Sequence, residues 1–281
     1  MVRLAAHSFG FVWQESAEAS FEHIAEAGFT QVQLMATPPH FDPWHEDAAR
    51  TRRLRAILER SGMELLAADL ASSDINLASA SRDVVAFSVD AYRRAIARCA
   101  ELGARWICVG SGRRHALLAN ANAELMRGFR PTFHAIVEEA RRQGLGVILE
   151  NHPQGLLADA AAIDRFLREE GLDDVLVIYD VANAIAIGED PVDGLRLLGP
   201  RLGIVHVSDS PAGQWRHDPI GSGVIDFAAI GAALAALGFA GSAALEILSD
   251  DPLAGLVDGA HALAAAGWRF SDPLPGVHRA A

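Results

Sequence analysis

The stretch VILENHP, residues 147–153, begins as a buried strand and ends in side chains that ionise. Its three opening apolar residues suit a strand that is covered on both faces. Glu150 follows them directly, and His152 lies two residues further on. Because an isolated charge in an apolar environment is costly, Glu150 needs a neutralising partner. The partner must be another group that lies near Glu150 in the folded chain.

Short apolar runs alternate with longer segments of helical period along the whole chain. Several of the predicted helices end in a Gly just before the next strand, as in EAGF, RSGM and RQGL. No GxGxxG follows the first strand, which argues against a doubly wound sheet. The eight strand–helix units predict an α/β fold in which residues 1–281 form a single (β/α)8 TIM-barrel domain. The predicted strands are residues 3–9, 31–35, 64–70, 106–109, 147–150, 175–179, 203–207 and 242–247.

The composition of the chain limits the kinds of partner that we expect it to bind. Asp+Glu 36 against Lys+Arg 24 gives a net charge of -12, which repels nucleic acid and anionic membranes, so we expect neither as a partner. The chain shows no signal peptide pattern and no apolar stretch long enough to span a membrane. Two cysteines without a CxxC exclude a disulfide scaffold. We therefore expect a cytoplasmic protein.

Ionisable side chains stand at the ends of the last four predicted strands. In a parallel barrel these carboxyl ends share one face, where the βα loops carry the chemistry. Any one of these side chains alone is more often part of an ion pair or a hydrogen-bonded core, but four such coincidences on one face are improbable. The four residues, each about one βα unit from the next, are Glu150, Asp180, His206 and Glu246.

Three carboxylates that meet at one point repel one another and lose hydration. A divalent cation removes this conflict. Carboxylate oxygens with one imidazole suit Mn²⁺, Mg²⁺, Co²⁺ or Zn²⁺, and the ligand set alone does not choose among them. The sequence therefore predicts one divalent metal ion, with Mn²⁺ as our first choice.

The motifs LENHP, YDVAN, VHVSD, PIGSGVIDF and LEIL resemble those of the xylose isomerase-like TIM-barrel superfamily, which holds sugar isomerases and epimerases, inosose-processing enzymes and endonuclease IV. The resemblance covers most of the chain and is strongest over residues 146–248. It implies that Glu150, Asp180, His206 and Glu246 bind the metal, and that Glu150 and Glu246 also move protons. A small sugar or polyol would be the substrate. Barrels of this kind often pair through their helices, so a homo-oligomer is also considered.

The resemblance also suggests supporting residues around the metal. Arg216 is similar to the family arginine that contacts substrate oxygens, and its rigid donor fork would polarise the reacting group. His152 either contacts the substrate or orients a metal ligand, and Asp209 is expected to support the ligands from behind. Asn183 is expected to hydrogen-bond a substrate hydroxyl. It departs from the family, since several epimerases and endonuclease IV carry His at that place.

The beginning of the chain offers further candidates. His7, near the end of the first strand, is expected to line the mouth of the pocket and contact the substrate. Phe9 and Trp13 follow it, and aromatic residues at such places are more often packing than binding residues. Gln33 stands where the family often has Glu near the second strand.

These observations predict a divalent-metal-dependent isomerase or epimerase of a sugar or keto-polyol that moves a proton through an enediolate. A metal-dependent dehydratase or lyase, acting on a cyclic polyol or dehydroshikimate-like substrate, shares the enolising step and stays open as an alternative. A non-catalytic sugar-binding barrel is the alternative of another class. An endonuclease IV-like phosphodiesterase is disfavoured, because the third and fourth strand ends carry no His and the chain is acidic.

Overall fold

The computed structural model describes residues 1–45, 48–70, 74–118 and 120–276. Its parallel strands close into one barrel, in which each strand pairs with the next along the chain and the last pairs with the first. This confirms the predicted (β/α)8 TIM barrel. The strands are β1 (Arg3–His7), β2 (Gln31–Ala36), β3 (Glu64–Leu70), β4 (Trp106–Gly110), β5 (Gly146–Glu150), β6 (Leu176–Asp180), β7 (Leu202–Val207) and β8 (Ser242–Leu245).

Helices surround the barrel and cover the outward side chains of the strands. They are α1 (Ala17–Glu26), α2 (Ala48–Ser61), α3 (Arg82–Leu102), α4 (Ala121–Arg142), α5 (Ala160–Glu169), α6 (Val181–Ala186), α7 (Pro191–Leu198), α8 (Phe227–Ala236) and α9 (Pro252–Ala265). Within the described part of the chain, none of them is both long and apolar enough to cross a membrane.

The inside of the barrel is packed with side chains and is not a pore. A buried cluster that includes Ala5, Leu66, Ile148, Ile204 and Ala244 fills the interior. A second, larger apolar cluster lies between the strands and the surrounding helices. Because both faces of the strands are covered, their sequences are almost wholly apolar. Polar side chains can therefore gather only at the open ends of the barrel.

Aspartates fix the starts of most helices in the second half of the barrel. Each accepts a hydrogen bond from a backbone amide of the first helical turn, which satisfies a donor that the helix leaves free. These caps determine where each βα loop ends, and so hold the loops above the barrel. The capping residues are Asp159, Asp180, Asp190, Asp226 and Asp251.

Two local features differ from the prediction. Helix α6 begins directly after β6, since Asp180 is both the last strand residue and the helix cap, accepting a bond of 2.7 Å from Asn183 N. With six residues it is too short to show helical periodicity in the sequence. The first strand ends at His7, because residues Ser8–Phe11 turn into a 3-10 helix.

Candidate metal centre and cavity

Four side chains from neighbouring strand ends meet at the carboxyl end of the barrel. One ligand atom of each lies within 4.8 Å of those of the other three. Three of the side chains are buried, and Glu150 is partly exposed. The predicted convergence is therefore what the structure shows for Glu150, Asp180, His206 and Glu246.

Three buried atoms in this cluster make no hydrogen bond of favourable geometry among the described residues: His206 Nδ1, Asp180 Oδ2 and Glu246 Oε2. His206 Nδ1 lies 3.1 Å from Glu150 Oε1, 3.0 Å from Glu246 Oε2 and 3.9 Å from Asp180 Oδ2. Buried polar atoms without partners are rare in proteins and call for an explanation. A cation among them would satisfy all three, so the residues fit a divalent metal with oxygen ligands and one imidazole.

A chain of hydrogen bonds fixes the orientation of the His206 ring. Its Nε2 lies 3.0 Å from Gln33 Oε1, and since that oxygen only accepts, Nε2 carries the proton. The amide nitrogen of Gln33 donates to Asp69 Oδ2 at 2.7 Å, and His7 Nε2 lies 2.9 Å from the same oxygen. This network leaves His206 Nδ1 free to face the carboxylates. Metal-binding histidines are typically held in this way.

Replacing Gln33 with Met is expected to weaken Mn²⁺ binding by roughly ten- to a hundredfold, because the His206 ring loses the partner that orients it. Isothermal titration calorimetry with Mn²⁺ measures the change. The matched control is Gln31→Met, since Gln31 is equally buried on the same strand but bonds to Glu64 and Ser242 instead. Equal metal affinity in Gln33→Met and the unchanged protein would contradict this role.

Burial and mutual repulsion shift the ionisation of the cluster in the metal-free protein. Burial raises the pKa of Glu150 and raises that of Asp180 to about 7. Burial opposes the charge of Glu246 as well, but the nearby histidines outweigh it and hold the pKa of Glu246 well below its usual range. Burial disfavours the charged form of His206, yet the carboxylates of Glu246 and Glu150 raise its pKa well above 6.5. Without a cation, protons on His206 and Asp180 offset part of the negative charge.

Apparent affinity for Mn²⁺ is expected to rise as the pH increases from about 6 to about 8, by up to about tenfold per pH unit for each proton released. The pKa of Asp180 is raised to about 7 and that of His206 is raised well above 6.5, so protons occupy both ligands at the lower pH, and the proton on Asp180 leaves as the pH passes 7. Metal titrations at a series of pH values test this. An affinity that is constant or falls over this range would contradict proton displacement at the site.

His217 belongs to the site although the sequence analysis passed over it. It is buried, its Nδ1 lies 3.1 Å from Ser208 Oγ, and the same atom lies 3.6 Å from Glu246 Oε2 and 3.7 Å from Asp180 Oδ2. The carboxylates outweigh the opposing effect of burial and raise the pKa of His217. The sequence offered one clue to this role. His217 directly follows Arg216, and neighbouring residues of an extended segment face opposite sides, so either of the two could face the site.

Asp69, near the end of β3, is a second residue that the sequence analysis missed. Its Oδ2 anchors the hydrogen-bond chain through Gln33, and it lines the cavity together with Glu150 and Cys108. The signal was a carboxylate close to the end of a buried strand, the same pattern that identified the four predicted ligands.

The predicted supporting residues lie in different places. His152 and Asn183 line the cavity, and burial lowers the pKa of His152 to about 4, so its imidazole is neutral. The Asn183 amide donates to Asn151 O at 2.9 Å, while its Oδ1 is buried without a partner among the described residues. That oxygen is available to a ligand hydroxyl. His7 is buried beside His206, with ring centroids 5.3 Å apart, and lies outside the cavity lining that we describe.

The other two supporting residues belong to the loop after β7. Arg216 Nε lies 2.7 Å from Asp218 Oδ2, and its half-exposed side chain is outside the described cavity lining. Asp209 accepts bonds from the backbone amides of Ser210, Gly221 and Ile225, at 2.9, 2.8 and 3.2 Å. Asp209 therefore holds the loop in place. A substrate contact of Arg216 and support of the ligands by Asp209 stay predictions.

A cavity of about 710 Å³ opens beside the cluster. Both glutamates of the predicted acid/base pair, Glu150 and Glu246, line it, together with Asn183, His152 and His217. Sites for small molecules typically have this size and combine an apolar wall with a few convergent polar groups. The cavity thus gives a small molecule direct access to both carboxylates.

Comparison with known families identifies the barrel. The model of the xylose isomerase-like TIM barrel family matches residues 21–269. The chain belongs to this family. A relative, the L-ribulose 3-epimerase of Mesorhizobium japonicum, is 26% identical over 89% of this chain and 83% of its own length.

Solved structures share the fold at lower sequence identity. A D-tagatose 3-epimerase-like protein is 22% identical and has a TM-score of 0.81, with 94% of this chain and 97% of that chain covered. A probable 3-DHS dehydratase from Bacillus anthracis is 17% identical with a TM-score of 0.77, with 92% and 97% covered. At these identities the likeness establishes the barrel and its connections.

Proposed function

We propose that this protein is a divalent-metal-dependent epimerase or isomerase of a sugar or keto-polyol, with proton transfer through an enediolate. The observation that carries the proposal is the convergence of three buried ligand atoms, from His206, Asp180 and Glu246, beside a cavity lined by two glutamates. The relationship to the L-ribulose 3-epimerase supports the same class of reaction.

Glu150, Asp180, His206 and Glu246 would hold the metal. When bound, a divalent cation supplies positive charge beside a substrate carbonyl, which makes the adjacent C–H group more acidic. The donor set is mainly oxygen with one imidazole, which supports Mn²⁺ first, with Mg²⁺, Co²⁺ and Zn²⁺ as further candidates.

Glu150 and Glu246 would move the proton. One carboxylate takes it from the carbon next to the carbonyl, and the same or the other carboxylate returns it. Return to the opposite face of that carbon inverts its configuration and gives an epimer. Return to the neighbouring carbon, with a hydroxyl proton moving to the former carbonyl oxygen, gives an isomer. Asn183 Oδ1 and His152 would position the substrate hydroxyls.

Deuterium exchange tests this proposal directly. The Mn²⁺-loaded protein is incubated in D₂O with a panel of ketoses, and NMR follows the carbon next to the carbonyl. We expect exchange that requires the metal and stops when a chelator is added. Loss of water in place of simple exchange would indicate the dehydratase alternative, and absence of exchange from metal-loaded protein across the panel would reject the proposal.

A further inference from the structure

Two exposed tryptophans line the cavity outside the buried cluster. Trp13 is 85% exposed and Trp215 is 44% exposed, whereas Glu246 and His206 are buried. Apolar side chains that border a cavity and face water can form part of a ligand-binding surface. The reaction proposed above uses neither indole.

An ordered turn presents Trp13. Val12 N donates to Phe9 O at 3.1 Å, and Gln14 N donates to Phe11 O at 2.9 Å, so the backbone is held on both sides of the tryptophan. A side chain on a fixed backbone loses less entropy when it binds a ligand. The indole of Trp13 is therefore exposed on a backbone that hydrogen bonds hold in place.

The loop after β7 presents Trp215 in a similarly fixed position. Asp209 and Asp218 exchange two backbone hydrogen bonds of 2.8 Å each across the base of the loop. The indole packs edge-on against the His152 ring, with centroids 4.7 Å apart. Trp215 therefore lies next to the polar part of the site and extends the cavity wall toward the solvent.

The cavity has room for a drug-sized ligand, and part of its wall is apolar. Its volume of about 710 Å³ lies within the range for drug-sized ligands, roughly 300–1,000 Å³. A free sugar has polar hydroxyls along its whole length, and each needs a partner when it is buried. Polar groups surround the two glutamates, while much of the remaining wall is apolar. That apolar part includes Val12, Met35, Leu70, Ile75 and Leu77.

We infer that the substrate carries a second ring, joined through an oxygen to the reacting sugar, and that Trp13 and Trp215 bind the apolar face of this ring. The inference rests on the proposed function and specifies its substrate class. A pyranose offers a face of C–H groups and an aromatic substituent offers a π face. Both suit the large, flat surface of an indole.

Calorimetric titration of the Mn²⁺-loaded protein tests the inference. The ligands are fructose, isomaltulose, in which a glucosyl ring is attached to fructose, and 6-O-benzylfructose. We expect at least one of the ring-bearing sugars to bind about tenfold or more tightly than fructose. If isomaltulose binds more tightly than fructose, the second ring is a sugar ring. If 6-O-benzylfructose does, it is an aromatic ring.

Trp13→Ala is expected to remove this preference and leave fructose binding unchanged. Because Trp13 is 85% exposed, the variant should fold normally, which thermal melting checks. Trp215→Ala is the second variant. The matched control is Phe87→Ala, an aromatic side chain that is half-exposed but outside the cavity lining.

Equal affinity for all three sugars, or a preference that survives both tryptophan substitutions, would overturn the inference. Deuterium exchange into unsubstituted ketoses would then still support the proposed function. If none of the three sugars binds and none in the ketose panel exchanges deuterium, the proposed function fails, and the inference fails with it.

Discussion

Glu246→Gln is expected to lower kcat by about a thousandfold or more at saturating Mn²⁺, since proton transfer by a positioned side chain contributes roughly 10²–10⁴. The amide has almost the same shape as the carboxylate but cannot accept the proton. Glu246 is buried, lines the cavity and carries a carboxylate whose pKa lies well below the usual value, so it is ionised in the metal-free protein at neutral pH. Turnover of a ketose substrate, with metal content measured on the same sample, gives the result.

The control for this experiment is Glu139→Gln. Glu139 is also a buried glutamate, but it lies on α4 and bonds to Arg142 and Gln143. It should keep full activity. Activity in Glu246→Gln equal to that of the unchanged protein, with metal bound, would remove Glu246 from the proton-transfer mechanism.

Asp180→Asn is expected to change stability in opposite directions in the metal-free and metal-loaded protein. In the metal-free protein, burial raises the pKa of Asp180 to about 7, so its ionised form destabilises the fold. This penalty grows as the pH rises from the pKa of the unfolded chain to about 7, and it is constant above that. At a pH of about 8 the neutral Asn should therefore raise the melting temperature, by roughly 2–4 °C for each kcal/mol removed.

With Mn²⁺ bound, we expect the unchanged protein to melt at a higher temperature than Asp180→Asn. Excess Mn²⁺ stabilises the unchanged protein by about 4 kcal/mol when its concentration is a thousand times the Kd, and a variant with a weaker site gains less. Asp159→Asn serves as control, because Asp159 also caps a helix but lies outside the cluster. It should change stability equally with and without metal. A melting temperature of Asp180→Asn that is lower than that of the unchanged protein in both states would contradict a cluster of repelling charges.

The barrel and its four converging side chains were predictable because they depend on local patterns. Each of the strands β5 to β8 is an apolar run with an ionisable residue at its carboxyl end or within one residue of it. The geometry of a parallel barrel then brings these ends to one face. Periodicity also placed β3 at its observed bounds, since it is a long, almost wholly buried strand.

The surroundings of the cluster depend on contacts between distant parts of the chain, which one sequence does not display. Gln33 joins His206 to Asp69 across three different strands. The direction of a loop side chain is equally hidden: Arg216 drew attention as a donor, while its neighbour His217 is the one that lines the cavity. Such details follow from tertiary packing.

Diffraction from Mn²⁺-loaded crystals, with anomalous scattering recorded at a wavelength where manganese contributes, would locate the metal ion. We expect one strong peak among Glu150, Asp180, His206 and Glu246, with the imidazole bound through Nδ1. Absence of a peak there, or binding through His206 Nε2, would contradict this expectation.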